Sequence, residues 1–321
     1  MSDLFRRFSP QPVPAASPAA APADDSRALL RAAAATAGHA PREAELLAAL
    51  ERLPPLPTVV RRILDLVGSD RGSAADLGEL VRLDLVITAK LLKLVNSPFY
   101  GLSFHVTSVA QAVTMIGFGG VRSLAVAASL SDLLVQQLEV YGFSERGLWK
   151  NSIATATMAR AIAVAAGLGP DEGEEAFVGG LMRDIGMLVL GPFLAQAGHI
   201  LRRRDGDGDI IQRERELIGY DHCWISERIG EKWRLPQGIR LVLGRHHRPP
   251  PGLAAEQVRL LAAVRLAERL AYASRIGVIP DHPFEVRIDP QLIQGAGLDA
   301  GHFQSLMQQL PGVIAGADLN V

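Results

Sequence analysis

The sequence has very little cysteine and almost no net charge. Cys223 is the one cysteine among 321 residues. A disulfide within the chain is therefore excluded, and a reducing cytoplasm is the compartment that fits best. The 33 Lys and Arg residues offset the 34 Asp and Glu residues, which leaves a formal charge of -1. This balance gives no electrostatic reason to expect a nucleic acid or an anionic membrane as partner.

Long apolar runs and nucleotide-binding motifs are also missing. We find no apolar run long enough to span a bilayer. Arg6 and Arg7 are followed by prolines, serines and alanines rather than by the apolar core of a signal peptide. The sequence has no glycine-rich phosphate loop, no nucleophile elbow and no dinucleotide fingerprint. We therefore expect a cytoplasmic protein that does not contact the membrane and belongs to none of these enzyme classes.

The sequence does contain clear helical patterning. Hydrophobic residues make up 48% of the chain, which is enough for a substantial core. Asp84 and Ser108 are placed to cap two helices. Gly117–Gly120 are expected to form a tight turn after the second of them, before a long helix over 121–138. Because strand alternation and βαβ spacing are absent, the sequence predicts an all-α fold.

Composition divides the chain into five parts. Pro and Ala dominate residues 1–25, which cannot bury enough apolar surface to order themselves, so this part is predicted to be a disordered tail. A helical lead-in is expected over 26–50. Two helical lobes are predicted over 51–140 and 141–275, and residues 276–321 form a C-terminal extension.

Short motifs occur in a fixed order along both lobes. In the first lobe they are Leu53-Pro54-Pro55-Leu56-Pro57, Asp84, Thr88 to Leu92, Asn96 to Gly101, Thr107-Ser108, Ala112 and Ile116-Gly117. In the second lobe they are Leu148 to Ser152, Gly179 to Gly186, Gly219 to His222, Trp233 to Pro236, and His246-His247. Each fragment is weakly specific, but the ordered series resembles the HDOD domain over roughly residues 50–275. The second lobe resembles the degenerate HD-type half of that domain.

The resemblance carries expectations about fold and role. It implies an all-α, two-lobed domain of bacterial signalling proteins, which is related to the HD phosphohydrolases but usually lacks demonstrated catalysis. Such proteins are often linked to cyclic-dinucleotide signalling, motility or stress control. The expected partner is therefore another signalling protein, for example one from these pathways.

The resemblance also places the metal-binding positions of the HD enzymes on this sequence. Those enzymes use an ordered set of His and Asp residues to hold two cations, which activate a water molecule and clamp the phosphate. The corresponding positions here are Asn151, Arg183, Asp184, His222, His246 with His247 beside it, and Glu268. Where the enzymes carry His-Asp, this chain therefore carries Arg183-Asp184.

All the substitutions affect ligands of the same one of the two cations. In the family arrangement that metal is served by the positions of Asn151, Arg183 and Glu268. A guanidinium stays protonated and offers only donors, and an amide is a poor ligand for a transition metal. This metal position is therefore abolished. We predict that Arg183 instead pairs with Asp184, Glu268 or both, because a buried carboxylate needs a partner.

The other metal position keeps residues of the ligand type. Asp184, His222 and His246 could still hold a single divalent cation. In the interpretation that we favour they hold no metal, and the two histidines are hydrogen-bonded remnants of the ancestral site.

Two functions follow from these alternatives. The favoured one is a non-catalytic bacterial signal-transduction or regulatory protein, which needs no cofactor and whose HDOD domain binds another protein or a small ligand. The alternative is a single-metal phosphohydrolase of nucleotides or cyclic dinucleotides, with His247 as a proton-transfer group. A DNA-binding regulator is disfavoured by the near-zero net charge.

Two further features have alternative interpretations. The loop that contains Asn96, Phe99 and Tyr100 could offer two aromatic side chains to a partner, or pack the lobes together. Cys223 could be a reactive thiol beside His222, but a small buried apolar residue is the favoured interpretation.

Overall fold

The structure is a computed structural model and describes residues 41, 43–56, 58–65, 84–196, 201, 207–279 and 288–317. The tail predicted over 1–25 and the first part of the lead-in lie outside the described residues. The described part of the chain contains no β-strand, and its one β-bridge joins Phe143 to Val278. The predicted all-α fold is confirmed.

The described α-helices are named here in chain order. They are α1 (Glu43–Glu51), α2 (Thr58–Asp65), α3 (Leu85–Val95), α4 (Val109–Leu134), α5 (Gly147–Ala165), α6 (Pro170–Met182), α7 (Met187–Gln196), α8 (Asp207–Ile218), α9 (His222–Lys232), α10 (Gln237–Arg245), α11 (Ala255–Ala273), α12 (Pro290–Gly295) and α13 (Ala300–Ala317). A 3₁₀ turn over Glu139–Tyr141 lies between α4 and α5.

Both predicted helix caps are present, and the break predicted at Gly117 is present as a kink between two helical segments rather than as a turn over 117–120. The Asp84 carboxylate accepts hydrogen bonds from two backbone N–H groups at the start of α3, and the Ser108 hydroxyl accepts one at the start of α4. Gly117 kinks α4 instead of ending it, with φ 76°. A single glycine can adopt this left-handed angle without strain, so the helix resumes at once and continues to Leu134 rather than to Leu138.

The prediction that no apolar run could span a bilayer needs correction. Two stretches, Val109–Leu134 and Pro170–Gln196, are long and apolar enough by length and composition. In the fold, 56% of the most apolar window of the first and 94% of that of the second are buried inside the protein. Core helices of soluble proteins have this disposition, because their apolar residues pack against other helices.

Small residues bring the central helices close together. Helix α5 packs against α6 on one side and α11 on another. A Cβ at Gly180 of α6 would lie 3.2 Å from the Cα of Ala156 in α5, so glycine permits the observed backbone approach. In the C-terminal extension, the short helix α12 precedes helix α13, which packs along α5. The packing of α5 against α6 and α11 places the turn after α6 in the middle of the core.

Candidate functional site

The candidate residues of the degenerate HD site form one buried cluster. Helix α5 supplies Asn151, the turn after α6 supplies Arg183 and Asp184, and α9 begins at His222. His246 and His247 directly follow α10, and Glu268 lies in α11. All seven side chains belong to residues that are at most 6% exposed. The structure therefore brings together the whole set that the resemblance selected.

Arg183 lies at the centre of this cluster and is fully buried. Its Nη1 donates to the carbonyl oxygen of Gly180 at 2.7 Å, and its Nη2 donates to Oδ1 of Asn151 in a short hydrogen bond. Nη2 also lies 3.0 Å from Oδ2 of Asp184, and Nε lies 3.6 Å from Oε1 of Glu268. The predicted pairing is thus present with both carboxylates.

Asn151 has become a hydrogen-bonding residue at the position of the first ancestral histidine. Its Nδ2 donates to the carbonyl oxygen of Ile276 at 3.0 Å. This bond fixes the amide so that Oδ1 points to the Arg183 guanidinium. An imidazolium at this position would instead place a second cation beside Arg183. The neutral amide avoids this repulsion and offers an oxygen that accepts from the guanidinium.

Asp184 faces two histidines on its other side. Its Oδ1 lies 3.4 Å from Nε2 of His222 and 3.6 Å from Nε2 of His246. Burial opposes ionisation, but the Arg183 charge and the two imidazoles together hold the pKa of Asp184 well below 3.8. Within the described residues, neither carboxylate oxygen accepts a well-aligned hydrogen bond. The attraction between Asp184 and its neighbours Arg183, His222 and His246 is therefore mainly electrostatic rather than a set of directed hydrogen bonds.

His222 has a second carboxylate partner, Glu214 of α8, which the sequence analysis missed. Nδ1 of His222 donates to Oε2 of Glu214 at 2.8 Å, and the backbone N–H of His222 donates to the same oxygen at 3.0 Å. The Tyr141 hydroxyl donates to Oε1 of Glu214 at 2.7 Å. Burial disfavours a charged imidazole, but the Glu214 charge raises the pKa of His222 well above 6.5. Glu214 is one of several charged residues in α8, so nothing in the sequence distinguishes it as the partner of His222.

His246 is held by a backbone carbonyl and contacts Cys223. Its Nδ1 donates to the carbonyl oxygen of Val242 at 3.0 Å, and Sγ of Cys223 lies 3.7 Å from the same nitrogen. Burial works against protonation, but Cys223 and Asp184 raise the pKa of His246 to about 10. Burial likewise opposes ionisation of Cys223, and the positive charges of His246 and His222 lower the pKa of this thiol. The predicted burial of Cys223 is confirmed, and its contact with His246 was not foreseen.

The raised pKa of His222 gives a substitution with a defined pH dependence. Such a group contributes stability below its unfolded pKa, here about 6.5, and loses the contribution as the pH rises through the folded value. Glu214→Gln removes the responsible charge. We expect it to cost about 3 kcal/mol of unfolding free energy below pH 6.5, and progressively less above it. Urea unfolding at a series of pH values measures this trend.

Tyr141→Phe is the matched control, because it removes a hydrogen bond to the same carboxylate. Burial raises the pKa of Tyr141 well above 10.0, so its hydroxyl stays protonated throughout this range. Its loss should cost about 1–2 kcal/mol at every pH. The same pH trend in both variants would contradict the assignment to His222.

The first metal position of the HD site does not fit a cation. The Arg183 guanidinium lies 3.0 Å from Asp184 and 3.6 Å from Glu268, where it already compensates both carboxylates. A divalent cation between the same oxygens would meet a fixed positive charge at short range, in a buried site where bulk solvent screens it little. This position therefore supplies no metal chemistry.

The second metal position fits one cation. A tetrahedral ion with bonds of about 2.0–2.1 Å places neighbouring N and O ligands about 3.4 Å apart. Oδ1 of Asp184 lies 3.4 and 3.6 Å from Nε2 of His222 and of His246. These residues would hold the ion, which would supply Lewis-acid chemistry when bound. His247 adds a further nitrogen, since it belongs with Asp184, His246 and Glu268 to a group whose donor atoms lie within 4.8 Å of one another.

The predicted interaction loop is partly covered by other parts of the chain. Asn96 donates to the carbonyl oxygens of Leu92 and Val106 and accepts from the N–H of Val106, so its side chain shapes the loop. Phe99 and Tyr100 are half-buried and form an edge-to-face pair. Both line a small cleft together with Val313 and Gly316 of helix α13. The loop thus contacts the C-terminal extension, and a role in partner binding stays a prediction.

Comparison with known proteins gives a family and a fold. The HDOD domain model matches residues 53–249. The crystal structure of an HDOD domain protein of unknown function from Geobacter sulfurreducens is 22% identical, with a TM-score of 0.69, and the match covers 92% of this chain and 98% of that one. A Shewanella amazonensis SB2B protein with the provisional name of a phosphohydrolase is 24% identical, with a TM-score of 0.62 and coverage of 84% and 96%.

Two further relatives show different lengths. A Marinobacter aquaeolei VT8 protein with the provisional name of a signal transduction protein is 23% identical, with a TM-score of 0.64, and the match covers 91% of this chain and 65% of that one. An uncharacterised protein of Treponema pallidum (strain Nichols) is 22% identical over 207 residues, which are 63% of this chain. The chain spans 39% of the length of that curated relative.

Proposed function

This chain belongs to the HDOD domain family, and we propose that it is a non-catalytic signal-transduction protein that acts by binding. Its HDOD domain would present a helical surface to another protein or to a small ligand. The partner is expected among signalling proteins of the cyclic-dinucleotide, motility or stress pathways. The Marinobacter aquaeolei relative, provisionally named a signal transduction protein, supports this class.

One observation carries the proposal, namely the position of the Arg183 guanidinium. It is fully buried, touches Asp184, Glu268 and Asn151, and lies where a two-metal phosphohydrolase needs a cation. Two-metal hydrolysis depends on ions that stabilise both the attacking and the leaving oxygen. A guanidinium whose donors are already directed at protein oxygens does not activate a water molecule. The site therefore favours a scaffold over a two-metal enzyme.

A single-metal phosphohydrolase is the second candidate, and the donor atoms around Asp184 favour it. Nε2 of His222 and Oδ1 of Asp184 are both buried, and within the described chain neither has a hydrogen-bond partner of good geometry. Such atoms are suited to a metal ligand. In this case Asp184, His222 and His246 would bind the ion and His247 would move a proton, while the substrate would be a nucleotide or cyclic dinucleotide.

Hydrolysis assays on the full chain separate the two candidates. The chain is purified without chelator and supplied in turn with Mn²⁺, Fe²⁺, Ni²⁺ and Zn²⁺. It is then incubated with a cyclic dinucleotide and with bis(p-nitrophenyl) phosphate. We expect no turnover above that of the His222→Ala variant with any ion, because the substitution of Arg183 for a metal ligand leaves no second cation. Product formation is followed by chromatography and by absorbance.

The matched variant is His302→Ala, which changes an exposed histidine of α13 far along the chain from the site residues. It controls for metal bound adventitiously by surface imidazoles. Turnover that is retained in His302→Ala but lost in His222→Ala would overturn the non-catalytic proposal and establish the single-metal enzyme.

A further inference from the structure

A second group of metal-ligating side chains lies beside Asp184 and includes the thiol of Cys223. Donor atoms of His222, Cys223, His246 and His247 lie within 4.8 Å of one another, and all four residues are buried. The group does not include the two carboxylates that contact Arg183. A cation bound by this group would take its anionic ligand from Cys223 and leave the contacts of Arg183 with Asp184 and Glu268 in place.

We propose that His222, Cys223, His246 and His247 form a closed site for one zinc-like divalent ion, with the Cys223 thiolate as the anionic ligand. Imidazole and thiolate are the ligands that zinc prefers, and four of them complete its tetrahedral shell. A thiolate is not part of the His and Asp set of the HD enzymes, so this ligand set differs from the ancestral one. The inference goes beyond the proposed binding function and does not depend on it.

The tautomers of two histidines suit such a site. Nδ1 of His222 donates to Glu214, and Nδ1 of His246 donates to the carbonyl oxygen of Val242. When each ring binds a metal in its neutral form, Nε2 is then the nitrogen that offers the lone pair, and the ion takes the place of the proton that the raised pKa of the metal-free imidazole keeps there. Metal-binding histidines are oriented in this way, with the other ring nitrogen bonded to a carboxylate or a backbone carbonyl.

The position of the sulfur also fits a tetrahedral ion. Sγ of Cys223 lies 3.9 Å from Nε2 of His246. Bonds of about 2.3 Å to sulfur and about 2.0 Å to nitrogen would place these atoms about 3.6 Å apart. A shift of a few tenths of an ångström therefore brings both atoms into one coordination shell. Such a shift is within the reach of side-chain rotation.

A closed site here would have a structural consequence. His222 and Cys223 open helix α9, whereas His246 and His247 follow the end of α10. One ion bound to all four would tie the start of α9 to the end of α10. Four protein ligands leave no open position for a water molecule or a substrate. The ion would therefore stabilise the fold or serve in signalling rather than catalyse hydrolysis.

Cobalt substitution tests the proposal on the full chain, because Co²⁺ bound by a thiolate gives an intense near-ultraviolet charge-transfer band. Cys223 is the one cysteine of the sequence, so any such band reports this thiolate alone. We expect the band to saturate at one equivalent of Co²⁺ and to be displaced by Zn²⁺. Cys223→Ser should abolish the band and weaken Zn²⁺ binding by at least about 100-fold, since even outer-sphere changes cost 10–100-fold.

His302→Ala is the matched variant, because it removes an exposed imidazole that lies outside both ligand groups. It should keep the band, and circular dichroism of each variant verifies its folding. Binding of Co²⁺ without a thiolate band, or Zn²⁺ binding that is as tight in Cys223→Ser as in the unchanged chain, would overturn the proposal in favour of the carboxylate group. Absence of any bound metal would also overturn it, but would leave the non-catalytic function standing.

Discussion

Arg183→Ala should lower the free energy of unfolding by about 3–5 kcal/mol, the usual cost of removing one partner from a buried ion pair. The substitution leaves the carboxylates of Asp184 and Glu268 buried without the guanidinium that lies 3.0 and 3.6 Å from them. It also removes the donor to Oδ1 of Asn151. Equilibrium unfolding in urea, with the slope compared between variants, measures the loss.

Arg245→Ala is the control for this prediction. Arg245 also pairs with a carboxylate, that of Glu227 at 3.1 Å, but their side chains are 45% and 29% exposed. Solvent screens such a pair, so its loss should cost less than about 1 kcal/mol. If Arg183→Ala costs no more than Arg245→Ala, then Arg183 does not compensate the buried carboxylates and the central argument for a non-catalytic site fails.

A divalent cation should partly rescue Arg183→Ala if the guanidinium has taken the place of a metal. The variant exposes two carboxylates, of Asp184 and Glu268, to an ion of the same sign of charge as the lost side chain. Ligands that bind only the folded state raise its stability by an amount that grows with the logarithm of their concentration above Kd. We expect Mn²⁺ or Zn²⁺ to raise the melting temperature of Arg183→Ala more than that of the unchanged chain.

Local sequence signals predicted the helices well because their causes are local. Asp84 and Ser108 cap α3 and α4 as expected, since a short polar side chain at that position satisfies backbone N–H groups within a few residues. The break at Gly117 was predicted, but its shortness was missed, because a glycine that kinks a helix and one that opens a longer turn look alike in sequence. The apolar stretch Pro170–Gln196 was likewise misjudged, since composition does not separate a core helix pair from a membrane span.

The site residues that belong to a family motif could be predicted from the sequence. Those that join the site through contacts between helices distant in sequence could not. Pairing of Arg183 with Asp184 and Glu268 followed from the resemblance, which places the three residues in one site, and from charge, because a buried carboxylate requires compensation. Glu214 and Tyr141 were missed, although they fix His222, because no spacing rule links α8 or the 3₁₀ turn to α9. Cys223 was predicted to be buried, but its neighbours on α10 depend on how two helices pack.

Gly186→Ala should cost at least about 3 kcal/mol of unfolding free energy, at the upper end of what overpacking costs. Gly186 ends the turn that holds Arg183 and Asp184, and its N–H donates to Oγ of Ser226 at 2.9 Å. A Cβ here would lie 2.2 Å from the carbonyl oxygen of His222 and 2.8 Å from Oγ of Ser226. Because the first of these atoms is backbone, no side-chain rotation relieves the clash, and α9 has to move away from the turn.

That movement should also change the site, which a purely local packing defect would not. The same hydroxyl of Ser226 donates to the carbonyl oxygen of Arg183, so displacement of α9 carries His222 away from Asp184. Gly295→Ala is the control, because its added Cβ would meet only Ala262 at 3.8 Å, and we expect a change within about 1 kcal/mol. If Gly186→Ala is as stable as Gly295→Ala and its His222 imidazole keeps its NMR chemical shifts, then the close approach of α9 does not position the site.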